Sequence, residues 1–311
     1  MLDLSNNKML SGRIPNFPKN GSLRMISLSN TKFSELSNCN LSGPIPSTME
    51  NLTNLVYLGF SLNNFIGSIP YFQRSKKLTY LDLLYNSLTG LLSPAHFEGL
   101  SELVYMNLGN NLLNGILPAY IFELPSLQKL FLCSNEFVGQ LNKFRNASSS
   151  LLKIIDVSNN HLNGSIPKSI FGIERLKVLS LSSNLFSETL PFEMIGMLSY
   201  LTNLDLSYNN LTIDVSSSNS TTFTFPHLRI LKLASCQLQE FPRLKLLSEI
   251  RILDLSDNQI HEPIPNWIWE NWLWISLSTE SFLQSAGVPE AALQYSRQSY
   301  VVGLALQQAK G

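Results

Sequence analysis

The chain has 311 residues, no net formal charge, 44% hydrophobic residues and only 14% charged ones, against roughly 25% charged in an ordinary soluble domain. Its 22 Lys plus Arg are balanced by 22 Asp plus Glu, and no basic run stands out, which excludes the electrostatic footprint of a nucleic-acid or anionic-membrane binder. Three widely spaced cysteines, Cys39, Cys133 and Cys236, spell neither a metal site nor a disulfide framework.

The opening stretch "MLDLSNNKML" lacks a basic region followed by an apolar one, so no secretory signal is expected in this chain. No apolar run approaches the ~18 residues of a membrane span. From these first residues onward one phrase recurs, L-x-x-L-x-L-x-x-N, often continued as x-L-x-G-x-I-P. Its Asn position falls in turn on Asn7, Thr31, Cys39, Asn63, Asn86, Asn111, Asn135, Asn160, Asn184, Asn209, Cys236 and Asn258. Apart from the short step between Thr31 and Cys39, successive anchors keep the period of roughly 20–29 residues that marks a leucine-rich repeat.

In such a repeat, x-L-x-L alternates faces as a strand does, leucines inward and x residues outward. The expected fold is an α/β repeat solenoid. It is a leucine-rich-repeat horseshoe with a concave parallel β-sheet and a convex side that is mostly irregular, 3-10 or short-strand. About twelve repeats are expected over 1–282, the last one degenerate with Glu280 at the anchor, followed by a non-repeat tail at 283–311. Two readings of that tail compete: a helical cap starting near Pro289-Glu290, or a foreign reading frame. No single coil shields its own leucines, so stacking supplies stability.

An Asn amide both donates and accepts, and so suits an anchor that must pair the turning backbone inside the solenoid. Thr31, Cys39 and Cys236 are weaker substitutes, and Cys39 and Cys236 are read as buried structural residues. Cys133 falls at an outward position, as a solvent-exposed free thiol. In "SLSNTKFSELSNCNLSGPIP" the anchors Thr31 and Cys39 stand only about a third of the usual period apart, which reads as one truncated repeat, an in-frame deletion near 31–39. The G-x-I-P copies at Gly12, Gly43, Gly67 and Gly164 combine a sharp turn with an extended backbone. Glu188 and Glu262 replace that Gly, so the turn there should differ.

Outward positions of successive strands align into columns. One column reads Tyr57, Tyr80, Tyr105, Lys129, Ile154, and the next Gly59, Asp82, Asn107, Phe131, Asp156. Rigid aromatics beside acidic and amide groups make a candidate protein- or peptide-docking patch of Tyr57, Tyr80, Asp82, Tyr105, Asn107, Lys129, Phe131 and Asp156. The competing reading is that Tyr and Asp are common at outward positions. Sequons stand at Asn20, Asn40, Asn51, Asn146, Asn163, Asn210 and Asn219, close to the number composition alone supplies. His96, His161, His227 and His261 share no metal or triad spacing, and phosphate-binding, nucleophile-elbow and kinase motifs are absent. No enzyme activity, cofactor or metal is expected.

The G-x-I-P continuation resembles the plant-specific, extracellular class of leucine-rich repeats. At closer range "GPIPSTMENLTNLVYL", "YFQRSKKLTYLDL", "NHLNGSIPKSIF", "SSSNSTTFTFPHLRILKLASC" and "LDLSDNQI" resemble receptor-like proteins of the Verticillium wilt resistance type. The resemblance implies a cell-surface immune receptor at the extracellular face of the plasma membrane, recognising a protein or peptide ligand and signalling through receptor-kinase co-receptors. That family also carries a signal peptide, paired-cysteine caps and a transmembrane helix, so this chain reads as a partial ectodomain. A secreted inhibitor of microbial wall-degrading enzymes, built from the same repeat, is one alternative. A non-functional gene fragment, poorly soluble because open coil ends expose leucines, is another.

Overall fold

The computed structural model describes residues 1–7, 9–19, 21–30, 41–216, 225–242, 249–263 and 265, together with the backbone of 274–276. They form a parallel β-solenoid whose α-helix content is the short segment Phe192–Ile195. The chain divides into two compact units, Met1–Asn163 and Gly164–Gly311.

In the first unit the main sheet runs through Leu2–Asp3, Met25–Ser27, Tyr57–Gly59, Tyr80–Asp82, Tyr105–Asn107, Lys129–Phe131 and Ile154–Asp156, all parallel. The middle residue of each strand from Ile26 onward (Leu58, Leu81, Met106, Leu130, Ile155) is fully buried, while its neighbours face outward. Each such side chain contributes roughly 1.5–3 kcal/mol by leaving water. The short strands expected on the opposite side join into a sheet of their own: Ser42–Pro44, Asn64–Gly67, Ser87–Leu91, Leu112–Ile116, Glu136–Gln140 and His161–Gly164. Buried Phe60, Phe65, Phe72, Phe97 and Phe137 belong to the interior, and 3-10 turns such as Ser47–Asn51 and Ala119–Glu123 lie between one coil and the next.

The anchor amide ties the coils together. In Asn135, Nδ2 donates to Leu132 O at 3.1 Å and Cys133 O at 3.2 Å in its own turn, and to Leu108 O at 3.0 Å in the preceding coil. Its Oδ1 accepts from Leu113 N at 3.0 Å. Asn86, Asn111 and Asn160 repeat the pattern, as do Asn209 and Asn258 in the second unit. Asn7, Asn63 and Asn184 make the same donations within their own turns. Cys236 is buried at its anchor with Sγ 3.5 Å from Leu206 O and Ala234 O. Burial pushes its thiol pKa up to about 12, so it is an inert packing group.

The residue before each described anchor adopts a left-handed backbone, from Asn6 at φ 60° through Asn110 at 53° to Asp257 at 53°. Gly115 is constrained twice. Its φ is +79°, and a Cβ there would collide with Leu91 Cδ2. Where glutamate replaces the Gly, the turn does differ. Glu188 Oε1 accepts Ile166 N at 2.7 Å and Glu262 Oε2 accepts Phe241 N at 3.2 Å, so the carboxylate pairs a backbone donor of the preceding coil.

The register around residue 30 puts the two partial copies of the phrase in one coil. Leu2 pairs with Ile26, one ordinary period on, and Met25 pairs with Tyr57, a step longer by about a third of a period. Asn63 Nδ2 reaches Leu28 O at 2.8 Å, so these two coils are direct neighbours. In the second sheet Leu41 bridges Gly12, and Ser42–Pro44 pairs with Asn64–Gly67. One coil therefore supplies both Met25–Ser27 and Ser42–Pro44, and the extra length lies between them. Thr31 and Cys39 themselves lie outside the described residues.

In the second unit Val178–Ser180, Asn203–Asp205, Ile230–Lys232, Ile252–Asp254 and Trp274–Ser276 form parallel pairs in sequence order, and Thr189–Pro191 pairs with Thr212–Asp214. Glu280 and the 283–311 tail lie outside the described residues.

Replacing Asn135 by Ala strands the buried Leu113 N–H and removes one donor each from Leu108 O, Leu132 O and Cys133 O, which keep Asn111 Nδ2, Asn160 Nδ2 and Asn110 N. The expected loss is about 3 kcal/mol or more, read as a lower urea midpoint, and Asn135→Cys, imitating Cys236, should lose less than Asn135→Ala.

Candidate functional site

The outward face of the first unit's main sheet carries the aligned columns. Tyr57, Tyr80, Tyr105, Lys129 and Ile154 are register partners on adjacent strands, as are Gly59, Asp82, Asn107, Phe131 and Asp156. The tyrosine rings stack face to face. Tyr57 and Tyr80 have centroids 4.4 Å apart at 7°, and Tyr80 and Tyr105 are 4.3 Å apart at 5°. Phe131 closes the row, tilted 48° against Tyr105 at 5.7 Å. Strands stand about 4.8 Å apart, so the rings lean slightly along the row to reach contact.

The rings also lean over the second column. A Cβ on Gly59 would meet the Tyr57 hydroxyl at 3.1 Å, and Asn107 Nδ2 donates to the Tyr105 hydroxyl at 3.1 Å. Asp82 accepts Leu84 N at 3.1 Å, and the nearby Ser61 and Tyr80 hydroxyls favour its charged form against the effect of burial. Asp82 and Asn107 are buried, 9% and 6% exposed. They support the tyrosines from below and do not stand beside them as free contact groups, which corrects their expected role. Burial pushes the Asp82 carboxyl above its ordinary value, and burial does the same to the three phenols, most strongly Tyr80, beside the Asp82 charge.

Lys129 is exposed at the end of the tyrosine column. Asp156 accepts the Ser158 N–H at 3.0 Å and its hydroxyl at 2.6 Å. Cys133 is half-buried, not freely exposed, and burial together with Asp156 pushes its thiol pKa up to about 12. It is therefore not a reactive thiol.

Three contributors escaped the sequence reading. The left-handed position before the anchor is Asn or Ser in the first unit's other coils, but it is Leu62 and Tyr85 in the coils of Tyr57 and Tyr80. Both are exposed, 38% and 52%, and a bulky residue at positive φ is a backbone outlier of the kind that clusters at functional sites. Leu84 sits half-buried beside Tyr85. The signal was available in the sequence: these are the coils whose pre-anchor residue abandons Asn and Ser.

Of the sequons, Asn146, Asn163 and Asn210 are exposed, whereas Asn51 is half-buried with Nδ2 donating to Phe17 O at 3.0 Å. Asn20, Asn40 and Asn219 lie outside the described residues. Among the described residues no group of His, Cys, Asp and Glu could hold a metal, and no helix is long and apolar enough to cross a membrane.

Because its folded-state pKa is raised, Asp82 binds its proton more tightly in the fold than in the unfolded chain, so its ionised form costs stability at neutral pH. The cost is absent below the unfolded carboxylate pKa of about 4. The melting-temperature advantage of Asp82→Asn over the parent chain should be largest near pH 7 and shrink as pH falls through that range.

Two family models match, both described as leucine-rich repeats, one over residues 76–137 and one over 35–52, 151–173, 200–221 and 249–271. Among curated relatives, Receptor-like protein 41 of Arabidopsis thaliana is 36% identical over 109 residues, covering 34% of this chain and 12% of its own length. Receptor-like protein 32 of Arabidopsis thaliana is 31% identical over 189 residues, covering 45% of this chain and 21% of its own length. The chain thus spans about a fifth or less of the length of these relatives. Among solved structures, a TDR receptor aligns with TM-score 0.68 and 31% identity over 82% of this chain and 47% of its own. The Arabidopsis receptor kinase HAESA ectodomain, solved with an IDA peptide hormone, aligns with TM-score 0.63 and 28% identity over 88% of this chain and 53% of its own. A plant ice-binding protein aligns with TM-score 0.62 and 27% identity over 73% of this chain and 72% of its own. Repeat period, anchor ladder, paired sheets and these matches make this a leucine-rich-repeat chain that is similar to the plant receptor-like proteins.

Proposed function

We propose that this chain is the non-catalytic ligand-recognition module of a plant cell-surface receptor-like protein, and that a peptide or protein ligand docks on the main-sheet face of the first unit. The row Tyr57–Tyr80–Tyr105–Phe131 carries the reading. Aromatic side chains held rigid by mutual stacking offer binding area at little entropic cost, and such anchors dominate interface energetics. Peptide-bound ectodomains among the structural neighbours, HAESA with IDA and RGFR1 with RGF2, support a peptide ligand. The resemblance to Verticillium wilt resistance proteins supports a role in pathogen perception, with signalling through partner receptor kinases from the extracellular face of the plasma membrane. Residues 1–282 serve as the repeat module in this reading.

Binding of peptides selected on the parent chain is the test. Replacing Tyr57, Tyr80 and Tyr105 together by Ala should weaken it at least ~100-fold, since hot-spot residues each cost roughly 2 kcal/mol or more. Unchanged binding by a variant that still melts cooperatively would reject the docking face.

A further inference from the structure

The centre of the tyrosine row does not offer ring faces to a ligand. Tyr80 is covered on both sides, by Tyr57 at 4.4 Å and Tyr105 at 4.3 Å. Outward, the row presents phenol edges and hydroxyl oxygens. Tyr80 and Asp82 stand two residues apart on one strand and so on the same face, which sets the Tyr80 phenol over the carboxylate. Asn107 Nδ2 donates into the Tyr105 hydroxyl. With near-parallel rings, neighbouring hydroxyl oxygens repeat at about the strand spacing, roughly 4 to 5 Å.

The charge beneath that row has no partner of opposite sign. The ion pairs among the described residues are Arg145–Glu123, Arg229–Glu249 and Lys232–Asp205, none at Asp82. The outward residues of the Asp82 strand and its two neighbours are Tyr57, Gly59, Tyr80, Asp82, Tyr105 and Asn107, and the positions preceding those strands are Val56, Thr79 and Val104. None is cationic. A negative charge held under aromatic edges without a counter-ion is complementary to a cation bearing several hydrogen-bond donors.

We propose that the hydroxyl row over Asp82 seats an arginine side chain of the peptide ligand. The planar guanidinium fork donates to two neighbouring tyrosine hydroxyls and sets its charge against the buried carboxylate. Guanidinium suits the row better than ammonium because its donors are spread in a plane and it is the less strongly hydrated cation. This assignment rests on the reading that the first unit's face binds a peptide.

The full chain would be used to select from a randomised peptide library, and the best binder would be resynthesised with Arg, Lys or citrulline at its enriched position. Citrulline keeps the shape and several donors but not the charge. Arginine enrichment is expected, with citrulline binding about tenfold more weakly, the scale of one charge-assisted hydrogen bond. In Asp82→Asn, confirmed as folded by its thermal melt, the arginine and citrulline peptides should bind alike, and Tyr80→Phe should narrow the gap. Selected peptides that need the tyrosines but show no arginine preference, or a gap unchanged in Asp82→Asn, would overturn the arginine seat and leave the docking face standing. Selection of no peptide at all would overturn both.

Discussion

One hydrogen-bonding constraint underlies the fold. Each coil must turn sharply beside the sheet, and the turn buries carbonyls and an N–H that neither sheet ladder satisfies. A single Asn amide meets the need, because its NH2 can serve the local turn and the preceding coil while its oxygen takes a backbone N–H, as Asn135 does. The amide reaches those carbonyls because the residue before it is left-handed, a local strain offset by the bonds it permits. Cysteine at Cys236 keeps a weak donor toward the same carbonyls but lacks the amide oxygen, which is why the ladder tolerates it only as an exception.

Rigidity of the ladder turns spelling into position. Strands held in constant register place every outward residue opposite its counterpart, so three tyrosines at one repeat position become a stack. The same regularity exposes departures from it. Asp82 is an ionised group under aromatic cover with no counter-ion, a feature that costs stability. Leu62 and Tyr85 put bulky side chains where neighbouring coils place Asn or Ser. Costs of this kind, gathered in two adjacent coils, distinguish the proposed docking face more sharply than the aromatic count does.

The columns and anchors were legible in the sequence because both are one-dimensional: a long, nearly constant period and an alternation of faces define them. What depends on how side chains settle was not. Asp82 and Asn107 alternate outward as expected, yet larger neighbours fold over them and bury them. Cys133 is outward by position, yet its thiol lies against Gly109 and Asp156. Residues 27–46 contain two partial copies of the repeat phrase. Counting anchors made them one repeat cut short, whereas sheet pairing assigns the strand to the first copy and the second-sheet strand to the other. Periodicity counts motifs and cannot tell which of two copies enters a ladder.

The second unit shows what the same scaffold looks like without the tyrosine row. Its outward column is Val178, Asn203, Ile230, Ile252 and Trp274, in which no two neighbouring positions are aromatic. Lys232 and Asp205 on its face pair at 3.7 Å, half-exposed charges whose mutual attraction is worth about 0–1 kcal/mol. Tyr208 is its one aromatic in the left-handed position, engaged with Ser256 across the strands. A face whose charges are already paired gains little by recruiting a ligand's, whereas an uncompensated carboxylate gains from any cation that reaches it. Ligand discrimination should therefore concentrate where the scaffold leaves charge uncompensated and backbone strained, around Tyr80 and Asp82.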